Sequence, residues 1–409
     1  MQRHADDSLL TFIASSLTLV VCFTASSAPI PLMSVYQQTL GLVSSEIANS
    51  LVTYYAGCIL TLVLFARMSN YFGRKLVVLF TLALGILGCA LFVVIDTVEI
   101  LYFARFFQGL GCGLASSAAM AWVVDSAPQN HRWLGTTLTA VAPPIGLCLG
   151  TFFAGAFVDL GWLDASELFV FFIALMLIVF SLCIFSKETV PFAMESFRQV
   201  LIPKLIVPRR LRRAFIVGAA AYIGAWGIGS FFQGFSATMS SMAFGAQSTF
   251  LAAMTYLILM IPNTTTGLLI GRFNATVILR IVSTLLLIAS ALIFLTLKAD
   301  LAWGFLIVVA LLGIANGGCC TAGLKIVVQD TTLQERAGTI GAVYLAAYVG
   351  SWIPNIIIGM IGRNTPIDIL GIGYTFWSFL AFATVQGMLF WMNKTPSQTE
   401  KQLLKKNGI

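Results

Sequence analysis

The chain has 409 residues, of which 59% are hydrophobic and only 10% charged, and its mean hydropathy is +0.94. A soluble domain does not carry such values over its whole length. The net charge of +7 could suggest a nucleic-acid partner, but the basic residues fall in alternate loops between apolar runs rather than on one soluble face. The composition therefore predicts an all-α integral membrane protein.

Twelve apolar runs of near-uniform length follow one another along the chain. Each approaches the roughly 20 residues that a helix needs to cross about 30 Å of hydrocarbon, so we predict twelve transmembrane helices, called spans 1 to 12. No convincing cleavage site follows the first run, which is therefore read as a retained helix. The runs lie at 9–33, 47–66, 76–95, 98–124, 134–157, 168–185, 214–235, 248–270, 277–297, 301–327, 337–361 and 369–392.

The loops between the runs differ in charge. One set holds most of the basic residues, including the central stretch 187–213. The other set holds only Lys298 and Arg363 as basic residues, and its acidic residues are Glu46, Asp96, Glu99, Asp159, Asp164, Glu167, Asp300 and Asp368. By the positive-inside rule, the basic loops and both termini are expected to be cytoplasmic. We predict a multi-pass protein of the cytoplasmic (inner) membrane of a bacterium.

The chain contains an internal repeat. A shift of 205 residues places Arg67 on Arg272 and Asp125 on Asp330 (330 − 125 = 205), each pair at the same kind of helix end. Parallel repeats of this kind place a site near the membrane midplane, between the halves, that is reached alternately from either face. We predict two pseudo-symmetric six-helix bundles at 1–186 and 214–393, a cytoplasmic linker at 187–213 and a cytoplasmic tail at 394–409.

Three segments carry recognisable chemistry. The turn segment, residues 66–75, sets three cations beside helix ends, where they can pair with carboxylates. The span 4 segment, residues 105–113, places Arg105 and Gln108 on one helical face. An arginine at that depth costs several kcal/mol unless it faces water or a partner, which makes it a functional candidate. The span 5 segment, residues 142–146, combines prolines and a glycine on a thin, kinkable face.

These three segments, in a duplicated twelve-helix chain, resemble the signatures of the major facilitator superfamily. The turn segment looks like the family's loop 2–3 signature, but has Ala66 and Asn70 where glycine and aspartate are usual. The span 4 segment closely matches Arg-x-x-Gln-Gly-x-Gly. The span 5 segment is similar to the Gly-Pro-x-x-Gly signature of the drug/proton antiporter branch, with Ala142 in place of the first glycine. The resemblance implies the major facilitator fold and, more narrowly, this twelve-helix antiporter branch.

The resemblance also implies a gate. In the family, the loop 2–3 aspartate takes part in a charge relay that stabilises the outward-open state, and Asn70 cannot be an anion. We therefore predict that Asp125 pairs with Arg67 or Arg74 instead. The expected gating residues are Arg67, Asn70, Arg74, Asp125, Pro143, Gly146, Arg272 and Asp330.

Family members line their substrate cavity with spans 1, 4, 7 and 10, flanked by spans 2, 5, 8 and 11. Aromatic faces with a few amides describe a pocket for a mid-sized, partly polar organic molecule. Arg105 has no counterpart in the second half, so it either attracts a carboxylate, modulates a proton site or serves as a structural arginine that bonds carbonyl groups. The candidate binding residues are Ser27, Tyr55, Arg105, Gln108, Trp226, Gln233, Tyr256, Asn263, Asn316, Tyr344, Tyr348 and Asn355.

No Asp or Glu occupies the middle of any apolar run. Three modes of coupling therefore stay open: through Asp125 or Asp330, through a substrate that carries its own proton, or none at all, as in facilitated diffusion. We expect a secondary active transporter that moves a small organic solute by alternating access, in proton-coupled efflux of a drug or metabolite.

The alternatives are uptake of a nutrient such as an amino acid or carboxylate, export of a carboxylate-rich siderophore and, more remotely, a non-transporting membrane receptor. The sequence has no nucleophile motif or metal-ligand cluster, so we expect neither an enzyme nor a bound cofactor or metal. The expected partners are the substrate, protons and the lipid bilayer, without nucleic acid, for a protein that acts as a monomer.

Overall fold

The computed structural model describes residues 2–65, 67–192, 207–270 and 273–394, and every regular element in these ranges is a helix. The apolar runs correspond to long helices. The helices are Gln2–Ser27 continued by Pro29–Leu40 (span 1), Ser44–Leu60 continued by Thr61–Phe65 (span 2), Arg74–Val93, Val98–Leu114 continued by Ala115–Ala119 and Met120–Ser126 (span 4), Arg132–Asp159, Ala165–Phe185, Arg212–Phe244, Thr249–Ile270, Ala275–Lys298, Ala302–Val328, Leu333–Ile361 and Ile367–Lys394.

Eleven of these helices are long and apolar enough to cross a membrane, among the residues described. Span 8, Thr249–Ile270, is the remaining long helix. Its second half carries Pro262, Asn263 and three consecutive threonines. Polar residues inside a transmembrane helix are tolerated where neighbouring helices pack against them, and span 8 packs closely against spans 5 and 10.

Spans 1 and 7 extend several residues beyond the predicted apolar runs, to Leu40 and Phe244. Polar residues such as Gln38 and Ser241 continue these helices, because hydropathy does not by itself end a helix. Each helix stops at a glycine with left-handed backbone, Gly41 at φ 67° and Gly245 at φ 64°. Glycine adopts this conformation without the steric cost that a side chain would add.

The same pattern of helix packing occurs in both halves. In the first half, span 1 packs on spans 4, 5 and 6, and span 3 on spans 4 and 6, while span 2 packs on span 4. In the second half, span 7 packs on spans 10, 11 and 12, span 9 on spans 10 and 12, and span 8 on span 10. The halves meet where span 2 packs on span 11 and span 5 on span 8. This is the pseudo-twofold arrangement of the major facilitator fold.

Glycines on spans 4 and 10 pack directly against carbonyl oxygens of spans 2 and 8. A Cβ atom added at Gly113, for example, would lie 2.8 Å from the carbonyl oxygen of Cys58. Spans 2 and 8 are related by 205 residues (259 − 54 = 205), whereas spans 4 and 10 are related by 204 (313 − 109 = 204). Gly113 therefore corresponds to Gly317. A uniform shift of 205 residues would instead pair it with Gly318. The equivalent contacts are Gly109 on Tyr54, Gly113 on Cys58, Gly313 on Leu259 and Gly317 on Asn263.

Candidate functional site

The two ends of the bundle are named here by their loops. The basic face carries the turn between spans 2 and 3, and the acidic face carries the turn between spans 5 and 6. Residues between these faces lie inside the bundle, and the candidate binding residues come from spans 1, 2, 4, 7, 8, 10 and 11.

Span 4 supports a break in span 1. Pro29 has no N–H group, so the carbonyl oxygen of Ala25, four residues earlier, loses its usual helical donor. The Nε2 atom of Gln108 donates to that oxygen at 2.9 Å. The Nη1 atom of Arg105 donates to the neighbouring carbonyl oxygen of Ser26 at 2.8 Å and to Oε1 of Gln108 at 3.2 Å. The Arg105 and Gln108 side chains thus satisfy backbone groups where the helix is interrupted.

Arg105 is almost wholly enclosed, with 1% of its surface exposed. Its guanidinium carbon lies 5.1 Å from the ring centroid of Tyr54, within cation–π range. Its Nε atom has no hydrogen-bond partner among the described residues. These contacts are those of the structural arginine considered above, and they leave the guanidinium enclosed rather than open to a substrate.

A continuous series of aromatic rings runs from Arg105 across the meeting of the two halves. We call these six side chains the aromatic belt. In the first half, the rings of Tyr54 and Tyr55 lie 5.2 Å apart. Tyr55 lies 6.2 Å from Tyr348 of span 11, so the belt passes from one half to the other. Its members are Tyr54, Tyr55, Tyr222, Trp226, Tyr344 and Tyr348.

The second half supplies most of the belt. The indole of Trp226 lies 5.0 Å from the ring of Tyr348 and 6.0 Å from that of Tyr344, with interplanar angles of 78° and 74°. Tyr222 lies 5.8 Å from Tyr344. Trp226 and Tyr344 are only half-buried, whereas Tyr222 and Tyr348 are buried. These two half-buried rings are therefore the ones a ligand could reach first.

A short hydrogen-bonded chain lies beside the belt. The hydroxyl of Tyr55 donates to Oε1 of Gln233 at 2.9 Å, and Nε2 of Gln233 lies 3.4 Å from the hydroxyl oxygen of Tyr256. Three predicted binding residues from three different spans are thus brought together. Gln233 is half-buried, so its amide lies between the belt and the interior.

Other predicted binding residues have structural contacts. The hydroxyl of Ser27 donates to the carbonyl oxygen of Thr24 within its own helix at 3.1 Å. Asn355 donates from Nδ2 to Oγ of Ser230 at 3.1 Å. Asn316 is 2% exposed, and its Oδ1 atom has no partner among the described residues.

Asn263 lies against span 10 through its carbonyl oxygen, which faces Gly317. The structure thus separates a group around the belt from a group engaged in helix packing.

The predicted pairing of Asp125 is present at the basic face. The Nε atom of Arg74 lies 3.0 Å from Oδ2 of Asp125, and the two side chains are 16% and 35% exposed. The same guanidinium donates from Nη1 to Oδ1 of Asn70 at 2.8 Å and also contacts the hydroxyl of Ser69. Asn70 thus bonds to the same cation as a neutral acceptor.

A residue that the sequence analysis missed joins this group. Glu188, just after span 6, accepts the backbone N–H of Arg74 at Oε1 and that of Lys75 at Oε2, each at 2.9 Å. Its Oε1 atom also accepts the N–H groups of Thr189 and Val190. The first N–H groups of a helix have no partner inside it, so this carboxylate caps span 3. Gly73 precedes this helix and has a positive φ of 87°. A Cβ atom at this position would collide with the Glu188 carboxylate.

The remaining gating candidates lie apart from the Arg74 pair. Gly146 packs span 5 onto span 1, where an added Cβ atom would lie 2.5 Å from the carbonyl oxygen of Val20, and Pro143 lies inside span 5 one turn earlier. Asp330 accepts a hydrogen bond from Arg210 through its backbone carbonyl. Arg67 is half-buried in the turn after span 2. Arg272 lies outside the described residues.

The halves are in polar contact at the acidic face. Thr249 of span 8 donates from Oγ1 to the carbonyl oxygen of Gly155 of span 5 at 3.1 Å. The Gln38 and Gln247 amides bond to each other where spans 1 and 7 end. The indole N–H of Trp352 donates to the carbonyl oxygen of Val52 at 3.1 Å. These contacts hold the two bundles together between the belt and the acidic face.

Helices of this number and packing define a polytopic membrane protein with an interior site between two similar bundles. A family model described as Major Facilitator Superfamily matches residues 15–354. The chain belongs to the major facilitator superfamily, and its general function is that of a secondary transporter. Comparison with curated proteins gives no significant match.

Among solved structures, the chain is similar to the crystal structure of a mutant of the nucleoside transporter NupG. The TM-score is 0.70 at 13% sequence identity, and the match covers 92% of this chain and 99% of that chain. At this level of identity the likeness concerns the fold.

Proposed function

We propose that the protein moves a small organic solute across the cytoplasmic membrane by alternating access, with the aromatic belt and Gln233 as the binding surface. The observation that carries this proposal is the position of the belt. Its rings cross from span 2 to span 11, where the two bundles meet. A solute bound there contacts both halves, so its affinity depends on how the halves are arranged.

The conformation supports access from one side. The contacts of Thr249, Trp352 and Gln38 hold the acidic face closed. We infer that a solute reaches the belt from the basic face in this state. The excess of Lys and Arg in the basic loops favours a cytoplasmic location for this face and for both termini. In a bacterial cell this is the inner membrane, with bundles at 1–186 and 214–393 acting as one monomer.

We further propose that transport is proton-coupled efflux, as in the drug/proton antiporter branch that the span 5 segment resembles. Asp125 is the carboxylate that we assign to coupling, because its ion pair with Arg74 joins helix ends at the basic face. Protonation of Asp125 would remove the negative partner of this arginine. The helix ends that the pair holds together would then be free to rearrange.

Nutrient uptake is the second candidate. The structural neighbour is a nucleoside transporter, and the belt offers rings on which a planar base could stack. The two candidates differ in direction and in the response to a pH gradient, which makes them separable.

The test is reconstitution in liposomes with a screen of drugs, amino acids, carboxylates and nucleosides, with and without an imposed pH gradient. Efflux is supported if a solute moves against its own gradient when protons flow the other way. Solute movement that ignores the pH gradient would refute antiport. Solute and protons moving in the same direction would favour uptake.

A further inference from the structure

We propose that the aromatic belt selects an uncharged, planar heteroaromatic molecule, held against the rings of Trp226 and Tyr344 with its polar edge toward Gln233. This inference rests on the proposed function and names the substrate class of the same site. Three independent features carry it: the arrangement of the rings, the presence of four of the six rings in the second half of a duplicated fold, and the local charge.

The ring arrangement leaves aromatic faces for a guest. Tyr344 and Tyr348 stand nearly perpendicular to the Trp226 indole, at 74° and 78°. Perpendicular rings form a corner rather than a closed stack, and Trp226 and Tyr344 keep part of their surface accessible. A flat ring placed in this corner makes a face contact with one wall and an edge contact with the other, both favourable aromatic geometries.

The fold itself does not require rings at these positions. The 205-residue repeat gives each belt residue of spans 7 and 11 an equivalent in spans 1 and 5. Those equivalents carry no aromatic side chain, although the packing of span 1 on span 5 repeats that of span 7 on span 11. The rings are therefore an addition to the second half. Tyr222, Trp226, Tyr344 and Tyr348 correspond to Leu17, Val21, Thr139 and Pro143.

The local charge disfavours ionised guests. No Asp or Glu occupies the middle of any apolar run, so a cation at the belt would find no carboxylate partner and would be repelled by the Arg105 guanidinium. An anion at the accessible rings cannot bond to Arg105, because that side chain is enclosed, with 1% of its surface exposed. Neutral polar edges, in contrast, can use the half-buried Gln233 amide, which has two N–H groups and two acceptor lone pairs and uses one of each in its bonds to Tyr256 and Tyr55.

The experiment measures binding to the purified full-length protein by isothermal titration calorimetry, with four probes of one shape. These are quinoline-3-carboxamide, its carboxylate analogue, its N-methylquinolinium analogue and the saturated, uncharged decahydronaphthalene-2-carboxamide. We expect the neutral aromatic amide to bind about fivefold more tightly than the saturated amide, because one aromatic contact is worth about 1 kcal/mol. Both ions should also bind more weakly than the neutral aromatic amide, because neither finds a partner of opposite charge at the belt. Equal affinity for the saturated amide, tighter binding of either ion, or no binding by any probe overturns the proposal.

Two variants locate the contact. Trp226→Leu is expected to abolish the preference for the aromatic amide over the saturated one, while Trp226→Phe retains most of it. Trp303→Leu is the matched control. Trp303 is 80% exposed at the start of span 10 and does not belong to the belt. Its loss should therefore change the affinity for neither the aromatic nor the saturated amide. A preference that survives Trp226→Leu in folded protein would place the site elsewhere.

The calorimetric result does not depend on transport. Selective binding without solute movement in liposomes would contradict the proposed function but leave the substrate class standing. Transport of saturated or charged solutes in preference to the aromatic amide would support the proposed function but contradict the substrate class.

Discussion

The contact of span 5 with span 1 and that of span 11 with span 7 occupy equivalent places, yet they are built differently. In the first half, Gly146 and Gly150 bring span 5 directly onto the backbone of span 1. In the second half, the residues 205 positions later are Ser351 and Asn355, and Asn355 bonds to Ser230 at 3.1 Å. At these two positions, span 5 therefore uses close backbone packing and span 11 uses side chains, although Gly350 of span 11 also packs onto the Cα atom of Ile223.

This difference extends along each half. The glycine contacts of spans 4 and 10 occur in both halves, but the Arg74–Asp125 pair and the Glu188 cap lie in the first half. The second half holds most of the aromatic belt and several buried polar atoms without partners among the described residues, such as Oδ1 of Asn355. The two halves of the duplicated fold thus differ in their side-chain chemistry, whereas the glycine packing is common to both.

The largest expected effect comes from adding a side chain where spans 1 and 5 are in backbone contact. A methyl group at position 150 would collide with the carbonyl oxygen of Thr24 and the hydroxyl of Ser27. Because backbone atoms cannot move aside cheaply, we expect Gly150→Ala to lower the free energy of unfolding by about 3 kcal/mol. Thermal unfolding in detergent measures the change.

Two controls accompany this variant. Gly373→Ala meets nothing within 4 Å and should leave the melting temperature unchanged. Asn355→Ala, at the equivalent position of span 11, removes the hydrogen bonds to Oγ of Ser230 and to the carbonyl oxygen of Ser351 and should cost about 2 kcal/mol. An unaltered melting temperature in Gly150→Ala would show that the helices are not packed as closely as described.

A second effect concerns the ion pair of the first half. Asp125→Asn leaves Arg74 with only the neutral acceptors Ser69 and Asn70, and we expect transport in liposomes to fall about tenfold, equivalent to about 1.4 kcal/mol. Asp330→Asn should change little, since Asp330 bonds to Arg210 through its backbone. Asn70→Ala should remain active. Full transport by Asp125→Asn would exclude the pair from the gate.

A third, smaller effect concerns the caps of spans 3 and 9. Span 3 is capped from a distance by Glu188, whereas span 9 is capped locally by Asn274, whose Oδ1 accepts the N–H of Thr276 at 3.0 Å. We expect Glu188→Ala and Asn274→Ala each to cost about 1 kcal/mol of unfolding free energy. The shorter Glu188→Asp side chain should restore part of the loss if capping is the cause. A neutral Glu188→Ala would mean that water replaces the carboxylate.

The smallest effect depends on pH and lies in the second half. Backbone and hydroxyl hydrogen bonds from Thr332 lower the pKa of Glu335 from its ordinary value of 4.5. A lowered pKa in the folded state gives stability that is present above pH 4.5 and is lost as the pH falls through the lowered pKa. The melting temperature of Glu335→Gln should therefore lie slightly below that of the original chain at pH 7 and converge with it in acid. A difference that is independent of pH would assign the effect to packing rather than to the charge of Glu335.

Sequence reasoning predicted the helices well because the bilayer constrains both their length and their composition. The predicted run 98–124 and the helix Val98–Ser126, for example, differ by two residues at one end. The ends of spans 1 and 7 were wrong by more, because Gln38 and Ser241 prolong helices that only the glycines at 41 and 245 terminate.

The site was less accessible to sequence reasoning. The pairing of Asp125 with Arg74 could be predicted because both lie at helix ends of adjoining spans. Glu188 could not, because it contacts a helix more than a hundred residues earlier (188 − 74 = 114) and the sequence alone does not indicate such a contact. The bonding of Gln108 to a carbonyl freed by Pro29 likewise depends on the exact angle between spans 1 and 4.

The five-residue π-helical turn Ala115–Ala119 precedes Asp125 in span 4. A π-turn holds one more residue than an α-turn, and each residue of an α-helix advances the azimuth by about 100°. If the same residues were wound as a regular α-helix, every later residue of span 4 would turn around the helix axis by about 100°. The carboxylate at 125 would then point away from Arg74, so the bulge sets the rotational phase on which this charge pairing depends.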